Sequence, residues 1–228
     1  MLTTTSEMYD YVLVGLDKAA AATIDPEDFV VSINGSMLDW VKQRYQLYDK
    51  SEQARNDLRV ITPPPAVIAN TGGTTPGTEQ FILPYTQSPA AGSGHGFMFA
   101  LNVGLRLTVN GAPAPCSPPG GWVHARPLTR DSRYSVLNDP FTSPTDDEPY
   151  YDYQEGVIRT YTGGALTADV RVEYLRYPVA LSLVPLVNPE LPSHVNQEIC
   201  DMCIRKTLET LESRRWQTNV NETKLKSS

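Results

Sequence analysis

The sequence predicts an α+β protein: a bundle of two N-terminal helices and one C-terminal helix, carrying a large inserted antiparallel β-sandwich or barrel. Three observations predict it. Apolar residues recur at three- and four-residue steps near both ends of the 228-residue chain. Between about residues 61 and 188 the period falls mostly to two, with turn residues between the runs. Most of the 19 prolines also fall in that stretch, which excludes a continuous helical core there. The expected organisation is a helical part over 1–60, a β-rich insertion over 61–188, a C-terminal helix over 189–216 that completes the core, and an extended tail over 217–228.

The first helix is expected from about Ser6 to Ala22, with Val12, Leu13, Leu16, Ala19 and Ala20 on one face and Thr5 or Ser6 as its cap. The second is announced by Asp25 as cap, Pro26 at the first helical position, and Glu27 and Asp28 in the first turn, where carboxylates suit the positive end of the helix dipole. Phe29, Val30, Ile33, Met37, Trp40, Val41, Leu47 and Tyr48 then carry the period, with Trp40 and Val41 expected in the bundle core. The pattern persists to about Asp57, roughly 30 residues or ~45 Å. Asn34-Gly35 is the point where this helix is expected to bend or break. A helix of that length outruns a small core, so part of it is expected to lie against another subunit or another protein.

Pro63-Pro64-Pro65 stops helical structure. The strand candidates are 81–85, 97–109, 133–137, 157–161 and 168–177. Asn110-Gly111 and Gly163-Gly164 each read as a hairpin between two such runs. The segments APAPCSPPGG and NDPFTSPTDDEPYYDY read as long surface loops. Within the second, Tyr150, Tyr151 and Tyr153 are large amphipathic side chains that either anchor a protein contact or pack back on the β-module. A last helix is expected from Pro192-Ser193 to about Arg215 or Trp216, burying Val195, Ile199, Cys203, Ile204, Thr207, Leu208 and Leu211. The polar remainder, QTNVNETKLKSS, has no periodicity and no evident reason to fold alone.

The formal net charge is −7 and the isoelectric point about 5.0. A dedicated DNA binder gains affinity by replacing counterions with Lys and Arg, so this balance argues against one. An acidic surface does suit a protein that lets DNA pass without gripping it. Three cysteines, Cys116, Cys200 and Cys203, make no disulfide framework. There is no basic-then-apolar leader and no run approaching the ~20 apolar residues that span a bilayer. The expectation is synthesis in a cytoplasm and no membrane partner.

Catalytic and metal constellations are not evident. Cys200 and Cys203 form a CxxC pair in mid-helix, without the helix-start position that activates redox cysteines or the four ligands of a zinc site, and read as small, partly buried residues. The glycine run 92–96 leads into a strand rather than a helix, so it is no phosphate cradle, and Ser93 and His95 are too close together to form a triad. Asp146, Asp147, Glu148, Asp152 and Glu155 lack calcium-loop spacing and read as a solvated acidic loop. His95, His124 and His194 have no metal-ligand spacing. The expectation is a non-enzyme with no cofactor and no metal.

Three segments together resemble a family: the helix IDPEDFVVSINGSMLDWVKQRYQLYDKSEQARNDLRVI, the strand VEYLRYPVALSLV leading into NPELPSHVNQEICDMCIRKTLETLESRRWQ, and the long aromatic β-region between them. This order resembles the neck ring proteins of crAss-like bacteriophages and, more distantly, the helical head-completion adaptors of tailed phages. The stretch from Glu173 to Trp216 is its most specific part. The resemblance implies a structural virion protein at the neck and tail junction, assembled in the bacterial cytoplasm. About a dozen copies would form a ring below the portal, extend the channel for viral DNA without sequence-specific binding, and meet other neck and tail proteins. The residues it points to at a portal or subunit interface are Trp40, Tyr45, Tyr48, Arg214, Arg215, Trp216, Lys224 and Lys226, with Arg214 to Ser228 against the portal. The competing readings are a virion adhesin or carbohydrate-binding tail module, suggested by the aromatic β-region and its loops, and a hydrolase using Ser93 or the acidic loop, which lacks a base–nucleophile pairing.

Overall fold

The computed structural model describes residues 2–18, 24–70, 79–83, 96–109, 112–114, 121–154 and 156–226, with side chains to residue 210 except that of Lys18. The fold class is α+β. Contacts divide the chain into two compact units: Met1–Ile61 with Pro178–Ser228, and Thr62–Tyr177. The second boundary therefore falls about ten residues before the 188/189 division expected from the pattern.

The helical unit contains α1 (Thr5–Lys18), α2 (Pro26–Gln46), α3 (Glu52–Leu58) with a 3-10 turn at Arg59–Ile61, and α5 (Ser193–Lys226). Its small hairpin, β10 (Ser182–Leu183) with β11 (Leu186–Val187), turns through a cis Val184–Pro185 peptide. The start of α1 differs from expectation. Thr4 is the cap: its hydroxyl accepts from the Glu7 N–H, while the Glu7 carboxylate accepts from the Thr3 and Thr4 N–H groups. That reciprocal box satisfies donors the helix leaves open. Thr5 is buried instead, its hydroxyl donating to the Val187 carbonyl at 2.5 Å. Met8, Val12 and Leu16 form the buried stripe of α1, and Leu13 is half-buried; Ala19 and Ala20 lie outside the described residues.

The long second helix of the sequence reading is two helices. It does not break at Asn34-Gly35, where the Asn34 amide donates to the Val30 and Leu181 carbonyls and accepts from the Leu181 N–H. It ends at Gln46 and restarts after Ser51, whose hydroxyl accepts from the Ala54 N–H. A serine at that position caps a helix better than it continues one. The Arg55 guanidinium then donates to the Tyr48 and Asp49 carbonyls, satisfying acceptors released by the break. In the other direction, α5 runs through Lys226 rather than stopping near Trp216. No Pro or Gly interrupts Ser193–Lys226, so the polar end of the chain continues as helix where an extended tail is expected.

The β-unit is a sandwich of two sheets. The first contains β1 (Ala66–Ala69), β9 (Leu166–Arg176), β3 (Phe97–Val109) and β4 (Ala112–Pro113) in that order, with β5 (Val123–His124) also on β3. The second has the order β2 (Gln80–Ile82), β8 (Val157–Tyr161), β7 (Tyr150–Gln154), β6 (Arg126–Pro127). The pairing is antiparallel except between β6 and β7. Val103, Leu105, Leu107, Val170 and Val172 from the first sheet and Phe81, Ile158 and Tyr151 from the second share one apolar core.

Three segments of this unit differ from expectation. Residues 133–137 are not a strand but part of a short helix, α4 (Arg133–Asn138), because five alternating residues fit either period. Gly163-Gly164 does not join a hairpin. β8 and β9 belong to different sheets, since both edges of β9 are occupied by β1 and β3. The turn between them carries the chain across the sandwich, and the Asp146 carboxylate accepts from the Gly163, Gly164 and Ala165 N–H groups, each at 3.0 Å. Residues 150–154 are a strand, not loop: Tyr151 is buried and Tyr153 packs against Phe97, so two of the three tyrosines serve their own core. The Asn110-Gly111 pair lies outside the described residues, although Val109 opposes Ala112 on either side of it.

Candidate functional site

The candidate site is the face of the helical unit shared by α2 and α5. Pairs along this face run in opposite directions: Arg44 and Trp40 meet Glu198, Asp39 meets Lys206, and Ser32 meets Thr207. α1 runs the other way beside α5, with Tyr11 donating to Asp201 at 3.1 Å and the Met8 carbonyl against the Cys200 thiol. α5 has 34 residues, 21 form α2 and 14 form α1. At 1.5 Å per residue their lengths are about 51, 32 and 21 Å. By the observed register the start of α2 comes level with α5 near Arg214. The α5 backbone continues for about three more turns beyond that point.

A groove of about 340 Å³ opens between the two helices, lined in part by Trp40, Arg44, Leu47, Met202 and Arg205. Glu198 organises it. Its Oε2 accepts from the Trp40 indole N–H at 2.8 Å and from Arg44 Nη2 at 2.8 Å, and Oε1 accepts from Nη2 at 3.2 Å. Arg44 also lies over the Trp40 ring, 5.2 Å from its centroid, and reaches Asp57 Oδ2 at 3.6 Å. Asp57 Oδ1 is 3.0 Å from His194 Nε2. Burial raises the Glu198 carboxyl, but the Trp40 and Arg44 hydrogen bonds outweigh it, and its pKa lies below the usual glutamate range. The Asp39 carboxyl is likewise lowered, mainly by the hydrogen bond from Lys206.

The interface residues expected from the sequence are distributed unevenly on this surface. Trp40 is buried, and its polar end is committed to Glu198, so it organises the unit internally. Val41 is buried as well, so both residues lie in the bundle core as expected. Tyr45 and Tyr48 are half-buried on the last turn of α2 and the turn after it, Tyr48 with the Arg55 guanidinium 5.9 Å from its ring centroid. Arg214, Arg215, Trp216, Lys224 and Lys226 are on the final turns of α5, beyond the described side chains. Glu198, Asp39 and Lys206 are additions the sequence reading missed. Arg44, one turn after Trp40 on the same helix, was the signal for an acidic partner nearby.

The chemical candidates disperse. Cys200 and Cys203 are buried; burial pushes the Cys200 thiol up to about 12 and raises Cys203 as well, so both stay protonated. The carboxylates of the acidic loop are separately engaged, Asp146 on the Gly163–Ala165 turn, Glu148 with Arg126 at 2.8 Å, and Asp152 with Arg133 at 3.2 Å. Among the described residues no His, Cys, Asp and Glu group could hold a metal ion, and no helix is long and apolar enough to cross a membrane. The 92–96 glycine run with Ser93 and His95, Cys116, and Glu155 lie outside the described residues. No protein-family model matches the chain, and no curated protein matches it.

Proposed function

We propose that this chain is a ring-forming adaptor of a bacteriophage neck, a structural virion protein that docks on the portal, extends the DNA channel and joins the tail. The observation that carries the reading is the length of α5. It exceeds both helices it packs against, and its last three turns run past the start of α2. The stretch of α5 that runs past the start of α2 gains most of its stability from packing on something else, because an isolated helical segment of about three turns is marginal in water. In a ring, the neighbouring copy or the portal supplies that surface, and heterologous contacts that close leave no open edge. The net charge of −7 suits a channel wall that DNA passes without adhering.

The portal encoded in the same phage genome would be mixed with the purified chain and imaged by electron cryomicroscopy. An added symmetric layer of about twelve copies below the portal is the expected outcome, by analogy with the resembled family. A bare portal beside monomeric chain would overturn it. A chain lacking 217–228 is expected to keep the far-ultraviolet spectrum and melting behaviour of the bundle, less about three helical turns, and to be lost from the assembled layer. Normal incorporation of the truncated chain would remove α5 from the docking role.

A further inference from the structure

The outward face of the first sheet carries a group of side chains that the adaptor reading does not use. Leu105 and Val123 point into the core, so their neighbours Gly104, Trp122 and His124 face the other way. Register places Asn102 opposite Glu173 and Gly104 opposite both Arg171 and His124. Three adjacent strands thus present an indole, an amide, an imidazole and an ion pair around one depression of about 140 Å³. A pairing irregularity between Ala100 and Asn102 sits at its margin, the kind of bulge that re-aims a side chain beside a site.

We infer that this depression binds a single pyranose unit of a glycan. The chemistry of the lining selects that class. Arg171 Nη2 and Glu173 Oε1 pair at 3.1 Å, so the rim carries both charge signs and offers no net attraction to an anion or a cation. What it does offer is a planar donor fork and a carboxylate, which suit the vicinal hydroxyls of a neutral polyol. Trp122 is half-buried and supplies an amphipathic ring of the sort that accepts the C–H face of a sugar. The Asn102 side-chain oxygen is buried with no hydrogen-bond partner, a state that calls for an explanation. A small rotation about its broad last torsion turns the amide to a ligand hydroxyl. The volume suits one sugar ring, well below the roughly 300–1,000 Å³ of pockets for larger ligands. Gly104 completes the floor: a Cβ there would lie 3.7–3.9 Å from Trp122 and Arg171, in ordinary contact. The fold tolerates a methyl group at that position, and its absence leaves room for a ligand.

The test uses the full chain and saturation-transfer NMR with the methyl pyranosides of glucose, galactose, mannose and N-acetylglucosamine. At least one is expected to show transfer, and Trp122→Ala is expected to weaken it by about tenfold or more in Kd. Gly104→Ala, which the backbone accommodates, is expected to weaken the same glycoside while leaving the melting curve in place. It keeps the test decisive if Trp122→Ala fails to fold. Absence of transfer from all four glycosides, or transfer that both variants leave unchanged, would overturn the inference. A soluble polysaccharide carrying the bound unit tells the source: tighter binding than the glycoside assigns the site to a surface glycan, and equal binding assigns it to a free or terminal sugar. The sugar site does not depend on the ring reading, and each can fail without the other.

Discussion

At the scale of single residues, the helical unit is organised by polar groups placed against apolar ones. Glu198 is half exposed, at 46% of its side chain, yet it holds Trp40 and Arg44 together. Its folded pKa lies below the ordinary value of 4.5. Such a carboxyl contributes stability that is fully present above the unfolded value and is lost as pH falls through the folded one. Asp39, lowered from 3.8, acts in the same direction. The melting temperature is therefore expected to fall on acidification below about pH 4.5, and Glu198→Gln is expected to flatten that dependence in a calorimetric series. At neutral pH the same substitution should cost about 1 kcal/mol, since solvent screens a carboxylate this exposed. The two helix cysteines permit a second measurement. With both thiols buried and raised, Cys200 to about 12, iodoacetamide at pH 8 should leave them unlabelled in the native protein and label them in urea, as read by mass spectrometry. The cysteine reading was legible in the sequence because mid-helix spacing alone placed both near the apolar face. Glu198 was not, because a carboxylate in a charged helix looks solvated until the facing tryptophan is known.

Elements were legible in proportion to the length of their pattern. Strand Phe97–Val109 and strand Val157–Tyr161 have the bounds their alternation implied, and α2 starts at Pro26 as expected, although the Asp25 side chain before it makes no capping hydrogen bond. Breaks were less legible than runs. Ser51 restarts a helix where charge and spacing suggested continuity, and nothing in the local pattern distinguished it from an exposed serine in mid-helix. The 150–154 strand was hidden by Asp152, which a pattern reading assigns to solvent. In the fold it is buried against Arg133 and the Tyr161 hydroxyl. The pairing of α1 with α5 rests on a close approach at Gly15, where a Cβ would fall on the Cδ1 of Ile204 and 3.2 Å from its Cγ1. Gly15→Val cannot be accommodated by turning that one methyl aside. It is expected to lower stability by about 1–3 kcal/mol in urea denaturation despite the better helix propensity of valine over glycine.

At the scale of the whole molecule, two cores occur in one chain, one made of helices from both ends and one made of two sheets. Asp146 belongs to the second. Asp146→Ala strips three N–H groups of their acceptor at the turn between the sheets and should destabilise the β-unit by about 1–3 kcal/mol. Protection of the Cys200 and Cys203 thiols, which report on the helical unit, is expected to survive that substitution in the same labelling assay. The helix–sheet–helix order and the alternation of each core strand could be read from the residues alone, because the α and β periods depend only on neighbours in the chain. Which strands pair was decided by the tertiary structure. Gly163-Gly164 has the composition of a hairpin turn, yet the strands on either side separate because β9 has its two edges filled by strands from about 70 and about 100 residues away. The same holds for the partners of Trp40, Asp146 and Asn102, since burial and hydrogen bonding depend on what the rest of the chain brings near, and no local pattern encodes that.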